Sequence, residues 1–277
     1  MIFYIGIYGI LALAGFLIRS PRLSRYVAAF AGIMLVLLIG GREEVGCDYD
    51  AYLARFNWLY PPGFGQLEAL FQAEGGFHWL NVLSRDLGWD FNGLVMICGV
   101  VYGFCLVRFA RLAPRPMALV AIAFPILVVQ LGMSGMRQAM ATAFLMLAYV
   151  AFTQRRQWIT AGWICVAYLF HQSAIFLLPM AFLARREISA KYLVGGIVLL
   201  APLVGWLLGE RLEVYSARYV EQVYGENASG GAWIRYLAAV LPFLLVWWKR
   251  RRVQAAFPEL YPLIWLFMVL SFSLVLV

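Results

Sequence analysis

Three short constellations and one histidine hold the residues of this chain whose types and spacing could do chemistry. The first is Arg42 to Tyr52, REEVGCDYDAY, with Asp48 and Asp50 among its acids. The second is Glu74-Gly75-Gly76-Phe77, and the third is Ser134-Gly135-Met136-Arg137-Gln138. The histidine is His171, followed by Gln172 and Ser173. Carboxylates and imidazoles can take and give protons, and a guanidinium offers a planar fork of donors that suits phosphate oxygens. Each stretch also has a plainer reading. Arg42 to Tyr52 would be a solvated acidic turn with Asp48 or Asp50 at the N-cap of the next helix. Glu74-Gly75-Gly76 would be a flexible turn. Arg137 would snorkel to the surface, and His171 would be a hydrogen-bond partner between helices. Two facts count against the plain reading of the last pair. Arg137 is the one basic residue between Arg115 and Arg155, and His171 is one of only two histidines. Both lie in or between apolar runs, where an ionisable group costs about 2.5–3.5 kcal/mol or more and is a functional hypothesis by default.

The elements that must position these residues are membrane helices. Hydrophobic residues make up 64% of the 277, and charged residues 13%. The mean hydropathy is +0.81. A soluble domain carries about 25% charged residues, so this chain has too little polar surface to cover a core, and its solvent must be lipid. A spanning helix needs about 17–25 mostly apolar residues. Candidate spans are 2–18, 26–41, 91–109, 116–133, 135–153, 192–209, 233–248 and 259–277. The expected fold is an all-α polytopic transmembrane helix bundle of about eight spans, with a re-entrant hairpin and an extracytoplasmic cap, in one integral-membrane domain.

Charge placement orients the bundle. Basic residues cluster in 19–25, 108–115, 155–156, 185–191 and 249–252, which together hold 15 of the 22 lysines and arginines. The alternate segments hold the other seven and 12 of the 14 acidic residues. The basic loops are therefore expected to face the cytoplasm, with the N-terminus on the other side. The net charge of +8 is then a topology signal and a contact with anionic lipid, which leaves nucleic-acid binding without support. The run Ile2–Ile18 is followed by Arg19, Arg22 and Arg25 and by no small-residue cleavage site, so it reads as a retained helix. Of the four cysteines only Cys47 should meet water, which excludes a disulfide framework.

The apolar stretch 158–183 has a basic loop at each end. A single crossing would invert every later loop, and 26 residues are too few for two full crossings. A hairpin turning within the membrane fits, with His171-Gln172-Ser173 at its midpoint; irregular backbone at that depth is tolerated where it is buried in protein or lines a wet cavity. The alternative is one long tilted helix that violates the charge rule locally. Segment 42–90 repeats Tyr52, Phe56 and Tyr60 at one helical spacing and Phe77, Leu80, Leu83 and Leu87 at another. Both read as short amphipathic helices at the interface, broken at Tyr60-Pro61-Pro62-Gly63, with Trp58, Trp79 and Trp89 suited to the headgroup layer.

In order along the chain, GCDYDAY, EGGFHWLN, SGMRQAMATA and HQSA resemble the motifs of the EpsG-type family of bacterial exopolysaccharide polymerases, which are similar in function to Wzy polymerases. The matching positions are Gly46, Asp48, Tyr52, Glu74, Gly76, Phe77, Arg137, Gln138, His171, Ser173 and Ala174, over about residues 40–180. Each motif is short; their order and loop placement carry the resemblance.

The resemblance implies an enzyme that joins oligosaccharide repeat units carried on undecaprenyl or another polyprenyl diphosphate at the outer leaflet, building O-antigen or exopolysaccharide. Its partners would be the lipid-linked oligosaccharide, the growing polysaccharide, membrane lipids, and a flippase and chain-length regulator. The residue types fit that chemistry. Arg137 would bind the diphosphate, and His171 with Asp48 or Glu74 would be the acid–base group at the acceptor. Gln138 and Ser173 would orient them, Tyr52 and Phe77 would stack on sugar rings, and Arg42 would join the substrate-binding set. No metal or other cofactor is required, although Asp48 and Glu74 could meet around a divalent ion. Two other classes stay open: a ligase that transfers a lipid-linked glycan to a different acceptor, and a transporter or flippase. A transporter usually shows inverted repeats, which the sequence does not display.

Overall fold

Helix α2 (Pro21–Gly40) begins where Ser20 Oγ accepts from the Leu23 N–H at 3.5 Å and Pro21 fills a first-turn position whose N–H would be unpaired anyway. Helix α6 (Phe91–Ala110) begins in the same manner, with Asp90 accepting from the Gly93 N–H at 2.9 Å. Each is 20 residues long, about 30 Å at 1.5 Å per residue. These two are, among the described residues, the helices long and apolar enough to cross a membrane; Ile2–Leu17, Pro116–Gly132 and Gln157–Phe170 are apolar and shorter. The computed structural model describes residues 2–46, 48–58, 65–70, 74–178 and 181, and beyond these 240–241, 244–256, 258, 261 and 264. It divides into two compact units, Met1–Ala181 and Phe182–Val277. All regular structure among the described residues is helical.

In the first unit the further elements are α1 (Ile2–Leu17), α3 (Tyr49–Trp58), α4 (Gln66–Leu70), α5 (Gly75–Asp86), α7 (Pro116–Ala123), α8 (Met136–Thr153) and α9 (Gln157–Phe170). α2 and α6 approach closely because glycines line their seam. A Cβ at Gly99 would stand 2.7 Å from the Gly40 nitrogen, and one at Gly103 would stand 3.2 Å from the Gly32 carbonyl oxygen; small residues at such seams let membrane helices touch backbone to backbone. The outward faces remain greasy. Ile2, Phe3, Ile10 and Phe16 of α1 and Phe30 and Ile33 of α2 are all more than half exposed, a band no soluble monomer would leave uncovered.

Two irregularities matter for the site. Pro125 lacks an N–H, and from Phe124 to Gly132 the helix begun by α7 widens to a π-helix. The Tyr102 hydroxyl donates to the Leu127 carbonyl there at 2.5 Å. Helix α9 stops at Phe170. His171 is extended (φ −152°, ψ 119°) and a 3-10 turn, Gln172–Leu177, follows. The break thus falls at the expected midpoint of the 158–183 hairpin. After Leu178 all of that stretch except Ala181 lies outside the described residues, as do the expected span 192–209 and most of 233–248 and 259–277. In the second unit the helix Arg250–Ala256 is preceded by Trp247 and Trp248, with Arg250 and Lys249 over their rings at 5.4 and 5.5 Å.

The segment after α2 is helical where expected, but α5 departs from an interfacial helix. Phe77, His78, Leu80, Asn81, Val82 and Ser84 are all buried, on more than one face. Its polar side chains fold back onto their own helix: Asn81 donates to the Phe77 carbonyl at 2.6 Å and Ser84 to that of Leu80 at 2.9 Å. Such i−4 bonds let a helix with alternating polar residues go inside. Trp58 and Trp89 are exposed, 86% and 48%, whereas Trp79 is half-buried. The break at Tyr60–Gly63 lies outside the described residues.

Candidate functional site

Three elements meet at one carboxylate. Glu74 stands at the N-cap of α5 in the left-handed region (φ 60°, ψ 42°) and makes no side-chain cap to its own helix. A carboxylate at that position ordinarily accepts from the first-turn N–H groups, and a non-glycine residue with such a φ is under strain that surrounding structure must offset. What draws it away is on other helices. Arg137, in the first turn of α8, forms an ion pair from Nη1 to Glu74 Oε2. His171, at the C-cap of α9, lies with Nδ1 3.0 Å from Glu74 Oε1.

The glycines after Glu74 make this meeting possible. A Cβ at Gly75 would strike the Leu70 backbone, and one at Gly76 would stand 2.8 Å from Leu169 Cβ and 3.1 Å from the Phe170 ring. The start of α5 can therefore seat directly against the end of α9, one residue from His171. The pair is a packing requirement and not a flexible turn. Arg137 rests its guanidinium over the Tyr52 ring, 5.9 Å from the centroid. Tyr52 in turn meets Phe77 edge-on at 5.5 Å. α3, which carries Tyr52, is anchored on the start of α6 by Tyr49 and Phe56 against Phe91 at 5.2 and 5.8 Å.

Burial raises the Glu74 pKa, but the hydrogen bond with His171 and the charge of Arg137 outweigh it, and the carboxyl ends below its ordinary value. It is therefore ionised and can only accept. The proton of a neutral His171 must then sit on Nδ1, which leaves the Nε2 lone pair free to act as a base. Arg137 has a further feature. It stands at the positive end of the α8 dipole, where a cation is disfavoured and an anion welcome, and its side chain is still 35% exposed, against 12% for Glu74 and 30% for His171.

The other expected residues divide. Gln138 and Ser173 are exposed and adjoin Arg137 and His171 in sequence, free to face a ligand. Phe77 is 1% exposed and Tyr52 7%, so neither presents a face to a sugar; they are the floor on which Arg137 lies. Asp48 is exposed in the turn before α3, and among the described residues it makes no side-chain hydrogen bond or ion pair. Arg42 is buried, 6% exposed, with Nη1 donating to the Gly132 carbonyl at 2.7 Å. That corrects its assignment to substrate: it binds the last carbonyl of the π-helix, a group with no partner in its own helix. Gly46 belongs to the same corner, with φ +113°, and a Cβ built there would fall on the Met133 carbonyl, so a side chain has no room. Among the described residues no group of three His, Cys, Asp or Glu side chains comes together to hold a metal.

One pair escaped the sequence reading. Arg55 of α3 lies with Nη2 3.0 Å from Nε2 of His78 in α5. The signal was present, since His78 directly follows the EGGF motif and Arg55 stands three residues after Tyr52, but nothing in the spacing joins the two.

The family model described as the EpsG family matches residues 25–277, well beyond the 40–180 over which the short motifs are legible. No curated protein and no solved structure matches the chain.

Proposed function

Since the chain belongs to the EpsG family, with a role in exopolysaccharide biosynthesis, we infer that it polymerises oligosaccharide repeat units carried on polyprenyl diphosphate at the outer leaflet of the bacterial inner membrane. The observation that carries this reading is the single carboxylate, Glu74, bonded at once to Arg137 and His171 at one end of an apolar bundle.

The step is glycosyl transfer. An acceptor hydroxyl attacks the anomeric carbon of the donor sugar, and the bond from that carbon to the diphosphate oxygen breaks. The hydroxyl proton passes to His171 Nε2, while Glu74 holds the ring by Nδ1 and stabilises the imidazolium that forms. The lipid diphosphate departs with the bonding electrons. Arg137 compensates the charge that builds there, since Glu74 engages one edge of its fork and other N–H groups remain for phosphate oxygens. Gln138 and Ser173 flank the two groups from the exposed side. The division of labour needs a dry approach from the lipid for the donor and a wet one for the sugars, which the end of a membrane bundle supplies.

The test is a polymerisation assay with the full chain in lipid vesicles, given a purified lipid-linked repeat unit, with the products separated by length. Wild type should build a ladder, and His171→Gln should lower the rate by about 10²–10⁴-fold, the usual share of general acid–base catalysis. Its thermal midpoint in detergent should be unchanged, because an amide can still hydrogen-bond to Glu74. A fully active His171→Gln overturns the base. Transfer of the glycan to some other acceptor with no ladder would make the protein a ligase.

A further inference from the structure

Arg55 and His78 extend the site by a second cation. Arg55 lies three residues after Tyr52 in α3, a spacing that puts both side chains on one face of the helix. That face is the one on which Arg137 lies, over the Tyr52 ring. The partners of the two arginines differ in kind. Arg137 is paired with a carboxylate that it shares with His171, which offsets part of its charge. Arg55 leans on an imidazole nitrogen, and a guanidinium can only donate, so His78 Nε2 must hold a lone pair. Burial together with Arg55 and Arg137 pushes the His78 pKa down, which agrees with a neutral ring. A neutral acceptor fixes a guanidinium in place and leaves its charge intact.

The charge balance of the corner is therefore lopsided. Among the described residues Arg55 has no carboxylate partner, and Glu74 is the acid that serves both Arg137 and His171. The Nε atoms of Arg55 and Arg137 are also buried without a hydrogen-bond partner among the described residues. Half-buried cations are retained where an anion compensates them. Two guanidiniums on neighbouring elements, one already half spent, suit an anion with two charged centres better than one with a single centre.

We propose that Arg55, held by His78, is a second phosphate-binding residue, so that the two phosphates of the lipid diphosphate are gripped by Arg137 and Arg55 together. This rests on the reading that the donor is a polyprenyl diphosphate, and it adds that the site distinguishes a diphosphate from a monophosphate through α3. Arg55 then acts in binding and departure of the lipid carrier, and the acceptor side is left to Glu74 and His171.

The experiment compares binding of an isoprenoid diphosphate and of the monophosphate with the same chain, by the full protein in nanodiscs. Wild type should favour the diphosphate. Arg55→Gln keeps an N–H for His78 and removes the charge, so it should bind the diphosphate about 10-fold or more weakly and the monophosphate within about 3-fold of wild type. Arg137→Gln should weaken both ligands. His78→Leu, which leaves Arg55 charged and unheld, should repeat the loss of preference, with the diphosphate weakened more than the monophosphate. If Arg137→Gln weakens the diphosphate and Arg55→Gln leaves the preference intact, Arg55 is only a bridge between α3 and α5 and this inference falls alone. If wild type shows no preference for the diphosphate, this inference falls together with the reading of the donor.

Discussion

Arg42 and Arg137 invite comparison, because each stands in a short segment at a helix end that the sequence marks as chemical. Arg42 follows α2, and Arg137 opens α8. Both are arginines in mostly apolar surroundings, and both are tied to a distant part of the chain. Arg42 gives Nη1 to a backbone carbonyl, Gly132, and is buried. Arg137 gives Nη1 to a carboxylate, Glu74, and keeps a third of its side chain exposed. The difference in partner decides the role. A carbonyl of a π-helix end has nowhere else to go, so Arg42 is structural. A carboxylate that also holds His171 links a cation to a proton acceptor, and the exposed remainder of Arg137 can meet a ligand.

The comparison would break first on activity. Arg137→Lys should lose polymerisation nearly as badly as Arg137→Ala, by about 10²–10³-fold, the scale of losing one preorganised donor at a developing negative charge. A lysine ammonium is a point charge without the planar fork. Both variants should be made and inserted normally. For Arg42 the order reverses: Arg42→Ala should lower the thermal midpoint, with about 1.5–3 kcal/mol lost for a hydrogen bond to a charged group, and the protein that remains folded should stay active. An active Arg137→Ala, or a stable and inactive Arg42→Ala, would erase the distinction.

A smaller effect sharpens the Arg42 side. Gly46→Ala puts a methyl group into the Met133 carbonyl at a φ of +113°, and should destabilise by about 1–3 kcal/mol through strain, visible as a lower midpoint in the same assay. The same change at Gly88, also at positive φ (71°) but with open space around it, should do less. Equal midpoints for the two variants would mean that the contact with Met133 contributes nothing.

The smallest expected effect is on pH and belongs to the Arg137 side. Glu74 titrates below its ordinary value of 4.5, so the folded state favours its ionised form. The stabilisation is fully present above the unfolded value and is lost as pH falls through the lower folded value. The gap in thermal midpoint between wild type and Glu74→Gln should thus hold at neutral pH and close below 4.5. A gap independent of pH would show that Glu74 matters for its shape and not its charge.

Much of this was legible without coordinates. The deficit of charged residues and the alternation of basic and acidic loops follow from transfer energies, which act on each segment separately, so the sequence marks the apolar helices and their order. It also marks an irregularity in 158–183, because two basic loops flank that stretch and one crossing would invert every later loop, and α9 does stop at Phe170. The motifs locate Glu74, Arg137 and His171 one by one. Their pairing is another matter. Glu74 and His171 are 97 residues apart, Glu74 and Arg137 63, and Arg42 and Gly132 90. Hydrogen bonds across such distances depend on how glycines seat α5 on α9 and α6 on α2, which no periodicity reports. For the same reason the sequence put Phe77 and Tyr52 on a sugar and Arg42 on a substrate, and passed over Arg55 and His78. Residue type limits what a side chain can do, and hydropathy limits how deep it sits. Which donor faces which acceptor is decided only when the helices pack.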